Sequence, residues 1–182
     1  MELIKAQIKD IDLIMTFIND AKEFLKSKGV DQWQGEYPNR QSIVDDISKG
    51  IGYLISDGKA AVGYCCVDFG GESAYDDLIG AWLSCGNYAV LHRLTVSREY
   101  RSKGFADKAF SLAEKLTAEE GVFSIKIDTH EDNKTMRHLL EKNGYTYCGK
   151  VTYPQGDRIA FEKLIIQPRN SNKVEALNEQ NS

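Results

Sequence analysis

The stretch that most constrains the fold runs from Leu91 to Leu116 and reads LHRLTVSREYRSKGFADKAFSLAEKL. Its first part continues a β-rich segment that predicts a strand over Tyr88 to Val96. Its last part places Phe105, Ala109, Leu112, Ala113 and Leu116 on one face of a helix predicted over Gly104 to Glu120, with Gly121 as its stop. Between them lies Arg101-Ser102-Lys103-Gly104-Phe105-Ala106. A chain that turns through glycine into a helix presents the unpaired first amides of that helix, and glycine lets the backbone come close to a ligand. Arg101 and Lys103 add positive charge, so the segment suits a pyrophosphate. It also fits a plain helix start with a solvated basic turn, but the flanking strand and amphipathic helix favour the anion site.

Charge points to the same place. The 182 residues carry 23 Lys and Arg against 27 Asp and Glu, net −4. Residues 1 to 90 hold 8 basic and 14 acidic side chains, net −6, and residues 91 to 182 hold 15 and 13, net +2. The acidic total excludes a general grip on nucleic acid or on an anionic membrane, and the asymmetry sends an anionic ligand to the second half. Cys65, Cys66, Cys85 and Cys148 form no C-x-x-C pair and have no histidine at a zinc-like offset, so no metal is expected and the thiols read as free and buried in a reducing cytosol. The N-terminal MELIKAQIKDIDLIM carries charges through its apolar stretch, unlike a signal peptide, and no run reaches the length of a membrane span. The expectation is a cytoplasmic chain of one domain, with 42% hydrophobic residues to fill its core.

The remaining elements follow from periodicity and turn chemistry. Leu3 and Ile4 predict a short strand, and Ile11, Ile14, Met15, Ile18, Ala21 and Leu25 a helix closed by Gly29. A second helix is expected from Gln41 to Lys49, after an irregular linker with Trp33 and Tyr37. GYLIS and AAVGYCCVDF flank an Asp57-Gly58 hairpin turn, and residues 70 to 87 read as a long loop. Phe123, Ile125 and Ile127 alternate as a strand, Asn133 to Asn143 predicts a helix, and Tyr145 to Tyr153 with Arg158 to Ile166 a terminal hairpin. This order specifies a mixed-sheet α/β or α+β domain over residues 1 to 166. Residues 167 to 182, QPRNSNKVEALNEQNS, have little to bury and read as a disordered polar tail.

The chain resembles the GNAT superfamily of N-acetyltransferases. That superfamily has a strand leading into (Gln/Arg)-x-x-Gly-x-(Gly/Ala), matched by Arg101 to Ala106, and a later helix that begins near an Asn and ends in Leu-Tyr-Glu-Lys-x-Gly-(Phe/Tyr). DTHEDNKTMRHLLEKNGYTYCG matches the second motif at Asn133, Leu139, Glu141, Lys142, Gly144 and Tyr145. The resemblance spans residues 2 to 166 and implies a central mixed, mostly antiparallel sheet flanked by helices. It implies acetyl-CoA as cosubstrate, with no metal, and transfer to a primary amine by direct attack through a tetrahedral intermediate. It assigns coenzyme A binding to the backbone of Leu94, Thr95 and Val96, to Arg101, Ser102, Lys103, Gly104, Phe105 and Ala106, and to Asn133, which is equally suited to cap its helix. Leu140 stands where many members carry the Tyr that protonates the departing thiolate, so another Tyr, water or direct thiolate release must replace it. By analogy with the fold, whose terminal strands often pair, a homodimer is expected.

A base must deprotonate the amine. His92 is the first candidate, because a regular strand would give it the parity of Val90, Leu94 and Val96, and imidazole titrates near neutral pH. A histidine satisfied on the sheet face is the competing reading. His130, at the end of the next strand, is the second candidate, and His138 in mid-helix reads as a surface residue. Trp33, Tyr37, Trp82 and Tyr88 are expected to line the acceptor pocket or to pack beside it. Glu36, Asp45, Asp46, Asp76 and Asp77 lean that pocket toward a cationic amine. Three readings stay open: an acetyltransferase for a small-molecule amine, one for a protein or peptide, and a non-catalytic acyl-CoA-binding module. A Rossmann site is discounted because Arg101 to Ala106 lacks its first glycine and no βαβ fingerprint surrounds it.

Overall fold

A computed structural model describes residues 1–166, and the predicted tail from 167 to 182 lies outside the described residues. Strands β1 (Glu2–Lys5), β2 (Gly52–Ser56), β3 (Ala61–Asp68), β4 (Ile79–Gly80), β5 (Ala89–Val96), β6 (Ser124–Thr129), β7 (Thr146–Tyr153) and β8 (Gly156–Leu164) form one sheet in the order β1-β2-β3-β5-β6-β8-β7-β4. Helices α1 (Ile11–Ser27), α2 (Arg40–Ser48), α3 (Phe105–Glu119) and α4 (Lys134–Lys142) complete the fold. Every pairing is antiparallel except β5 with β6.

The helices sort by their apolar stripes onto the two faces of the sheet. Ile11, Ile14, Phe17 and Ile18 of α1 pack with Ile43 of α2 against Leu54 and Tyr64. Ala109, Phe110 and Ala113 of α3, with Leu140 of α4, pack against Val62, Leu91, Ile125 and Ile127. Alternation within β6 separates these apolar positions from Ser124, Lys126 and Asp128 on its other face.

Residues 70 to 87 are more ordered than the predicted loop: they hold a short 3-10 turn at Ser73–Tyr75 and the two-residue edge strand β4. Glycine makes that edge possible, since a Cβ on Gly80 would sit 2.0 Å from the Cys148 carbonyl oxygen and one on Gly149 would sit 2.3 Å from that of Ile79. The fully buried Glu162 anchors the end of this segment. Its carboxylate accepts hydrogen bonds from the Leu83 amide (2.5 Å), the Ser84 amide (3.3 Å) and the Ser124 hydroxyl (2.6 Å). Of the four thiols, Cys65, Cys66 and Cys148 are buried as expected, whereas Cys85 is exposed because it lies where this segment turns back into solvent.

The feature that positions the site is a defect in the middle of the sheet. β5 and β6 are in register only at Ala89–Ile125 and Val90–Lys126, and then part. β6 stays paired with β8 through Thr129, and β5 with β3 through Val96, so a wedge opens between two otherwise secured strands. Within β5 the register against β3 slips between the His92–Cys66 and Thr95–Tyr64 pairs, at a bulge where Arg93 takes a left-handed φ of 53°.

Candidate active site

Two clefts meet at this wedge. The first, about 620 Å³, runs between β5 and β6 to the start of α3, and is lined by Leu94, Thr95, Val96, Arg101, Ser102, Gly104, Phe105, Ala106 and Asn133. The first bond into α3 runs from the Lys108 amide to the Gly104 carbonyl at 3.3 Å, which leaves the amides of Phe105, Ala106 and Asp107 ahead of it without intrahelical partners. Gly104 holds φ 77°, a left-handed turn that glycine adopts without strain. Arg101 is braced at the mouth: its Nε donates to the Val96 carbonyl (3.2 Å) and its guanidinium stacks 4.8 Å from the Phe24 ring centre. Free amides, a glycine turn and a fixed guanidinium suit the phosphates of a nucleotide cofactor, and the parted edge of β5 suits an amide-bearing arm. Lys103 lies outside this lining, exposed, with its ammonium 5.8 Å from the Tyr100 ring centre.

Asn133 is the N-cap of α4: its Oδ1 accepts from the Met136 amide (3.1 Å). Its Nδ2 donates to Gln32 Oε1 (3.0 Å), so it also ties the linker to the cleft wall. Leu140 is fully buried in the core cluster with Phe110 and Tyr145 and lines neither cleft. His138, exposed on α4, lies at the cleft's rim.

The second cleft, about 1250 Å³, is bounded by the linker at 31–39, the segment after β3 and the β7–β8 turn. Trp33, Tyr37, His92, Arg93 and Asp128 belong to both linings, so a group bound in one cleft meets a group bound in the other there. Tyr88 lines the second cleft, and its hydroxyl accepts from the Glu72 amide (3.4 Å). Trp82 lines neither. Its indole donates to the Tyr75 carbonyl (3.1 Å) and its ring lies 4.1 Å from the Lys126 ammonium, so packing of the 70–87 segment has claimed it. The acidic residues are likewise redistributed. Glu36, Asp46 and Asp76 line the second cleft, Asp45 and Asp77 do not, and Asp31, Asp68, Glu72 and Asp128 join it.

His92 sits on the shared wall, but not with the expected parity. The bulge at Arg93 turns Leu94 into the core cluster of α3, while Thr95 faces α1 and donates to the Phe17 carbonyl (3.2 Å). Nε2 of His92 lies 3.6 Å from the Glu72 carboxylate. That contact holds Glu72 below the usual carboxylate range. Asp128 shows the opposite shift: burial raises its carboxyl above the usual range, against the pull of His92 and Arg158. His130 is not brought to the site, since it lines neither cleft and its Nδ1 accepts from the Asp132 amide (3.2 Å).

The bulge is itself clamped. Arg93 forks onto the buried Asp46 of α2, with Nε to Oδ2 at 2.8 Å and a second bond from Nη2 to Oδ1, and also donates to the Tyr37 hydroxyl. Tyr64 donates to the same Asp46 at 2.7 Å. Sequence reading missed this clamp, Glu72, Asp128 and Gln32. Only Asp128 left a signal, as the third polar residue alternating with Ile125 and Ile127 in a strand buried on both faces.

Among the described residues there is no group of three or more His, Cys, Asp or Glu able to hold a metal, and no helix long and apolar enough to cross a membrane. No curated protein sequence matches the chain. The family model for GNAT acetyltransferases matches residues 17–145. A GNAT-family acetyltransferase from Streptococcus agalactiae is 37% identical, with a TM-score of 0.81, over 91% of this chain and 96% of that one. Two further structures share the fold: a GNAT-family acetyltransferase from Listeria monocytogenes (23% identity, TM-score 0.71, 90% and 94% covered) and the PaiA N-acetyltransferase of Thermoplasma acidophilum in complex with coenzyme A (18%, 0.65, 90% and 98%). The chain belongs to the GNAT family of acetyltransferases.

Proposed function

We propose that the protein transfers an acetyl group from acetyl-CoA to the primary amine of a small molecule. The observation that carries this reading is the meeting of the two clefts at His92: one has main-chain donors for a phosphorylated cofactor, the other an acidic lining for an amine. The coenzyme A complex of the Thermoplasma protein, which shares the fold, supports the choice of donor. Bound in the first cleft, acetyl-CoA would supply an activated acyl group whose carbonyl carbon first gains a bond to nitrogen and then loses its bond to sulfur.

The chain's own residues prepare that exchange. The amides ahead of Lys108 hold the anionic end, and the parted edge of β5 orients the thioester-bearing arm. His92 takes a proton from the amine, and Glu72 behind it stabilises the imidazolium that results. With Leu140 in the core, water in the cleft returns a proton to the departing thiolate. The aromatic walls at Trp33, Tyr37 and Tyr88 favour a small acceptor; a peptide acceptor is the second reading, because the second cleft is open along the linker.

Release of free thiol from acetyl-CoA, followed against a panel of small amines and short peptides, tests the function. A rate that depends on the small amine supports the proposal, and one that responds only to peptides replaces it with the second reading. His92→Ala should bind acetyl-CoA normally and lose about 100-fold in turnover; full turnover in that variant would remove His92 from the mechanism.

A further inference from the structure

The mechanism above leaves one corner of the second cleft unused. Asp128, at the end of β6, lines both clefts and faces His92, Arg158 and Glu72. Tyr153, at the end of β7, also lines the second cleft. Its hydroxyl oxygen is buried and close enough to Asp128 to interact with it, yet makes no hydrogen bond of ordinary length and angle with any described residue. Leaving a buried hydroxyl unpaired costs about 1–3 kcal/mol, so such groups normally have a partner in the working state. Here the hydroxyl and a carboxylate border the same space, the carboxylate on the wall where the clefts meet.

We propose that Asp128 and Tyr153 form an ammonium-recognition corner that selects protonated aliphatic primary amines and presents them to His92. The inference rests on the transferase reading for its last step but not for binding. A primary ammonium carries three N–H donors and a positive charge. The Asp128 carboxylate accepts one donor and balances the charge, and the Tyr153 hydroxyl accepts a second. When the third N–H bond breaks, its electron pair stays on nitrogen and the proton passes to the His92 imidazole. Burial of Tyr153 beside Asp128 and Glu72 pushes its hydroxyl well above its ordinary value, so it stays protonated and keeps an oxygen lone pair for the ligand. An aromatic amine, uncharged at neutral pH, gains nothing from the carboxylate and is discriminated against.

The test is equilibrium titration of the full-length protein, saturated with coenzyme A, with butylamine and with aniline at neutral pH. Butylamine should bind at least ~10-fold more weakly to Asp128→Asn than to the unaltered protein, while aniline binding changes less than ~2-fold. Tyr153→Phe, which keeps the ring and so the packing, should weaken butylamine alone by ~3-fold. Equal loss of both probes in Asp128→Asn, unchanged butylamine affinity, or no binding of butylamine to the unaltered protein overturns the corner. Thiol release from acetyl-CoA, followed in separate samples of the same variants with butylamine and no added coenzyme A, separates the two claims. Butylamine binding that depends on Asp128 without any acetyl transfer keeps the corner and removes the transferase reading, whereas transfer indifferent to Asp128→Asn does the reverse.

Discussion

The two clefts are built from different materials. The first is mostly main chain: three amides ahead of the first bond of α3, a glycine turn, and the edge of β5 beyond Val90. The second is mostly side chain, with Asp31, Asp68, Glu72, Asp128 and Arg158 arriving from separate segments. Main-chain recognition needs only a few residues of permitted conformation in one continuous stretch, so it holds an unvarying ligand while the rest of the sequence drifts. Side-chain recognition can be rewritten one residue at a time without disturbing the first cleft. The two are joined at one clamped bulge, and breaking that joint should have the largest effect. Asp46→Ala strands the buried Arg93 charge and the Tyr64 hydroxyl, at a cost of about 3–5 kcal/mol. Urea unfolding should register that loss, and both clefts should lose ligand together.

A change confined to the first cleft should act on one ligand only. At Gly104 a Cβ would meet nothing within 4 Å, but in Gly104→Val the left-handed φ costs a branched side chain about 1–2 kcal/mol. The turn relieves this strain by moving the amides that follow it. Acetyl-CoA should bind about 10-fold more weakly by calorimetry, with amine affinity preserved.

How much of this was legible in the sequence follows the same division. Arg101 to Ala106 could be read because strand, turn and helix are contiguous and each has its own periodicity. The order of strands and helices was legible for the same reason. The wedge was not, since nothing in Ala89 to Val96 announces that β6 will leave after two pairs. Nor was the bulge, which needs a non-glycine residue at positive φ and is imposed from outside by Asp46, 47 residues earlier. Trp82 was misplaced because an aromatic residue in a loop looks the same whether it lines a pocket or, as here, packs over a buried lysine.

Within the second cleft two carboxylates should carry opposite pH signatures. Glu72 has a depressed folded value, so its contribution to stability is present above the ordinary carboxylate range and is lost as pH falls through the folded value. Asp128 has a raised one, so the charged form weighs against folding, and the penalty begins to fall as pH drops through the folded value and is gone below the ordinary carboxylate range. Glu72→Gln should therefore be less stable than the unaltered protein at neutral pH, and Asp128→Asn more stable, by about 1 kcal/mol or less. Both differences should shrink in urea titrations repeated at acidic pH. Persistence of either difference in acid would show that packing, and not charge, separates the variant from its parent.

The smallest effect decides whether the acidity of the second cleft is local. Asp45 and Asp77 belong to the same net −6 half as Glu72, yet neither lines a cleft. If the field of the whole half attracted the amine, removing either charge would raise KM for a cationic acceptor, and salt would mimic the loss. Both carboxylates are exposed, where solvent and salt, with a Debye length of about 8 Å at physiological ionic strength, weaken the reach of a charge. Asp45→Asn and Asp77→Asn should therefore leave KM within about 2-fold and kcat unchanged. A substantial rise in KM from either would mean that the second cleft works through the summed charge of its half, unlike the first, whose donors act only at contact.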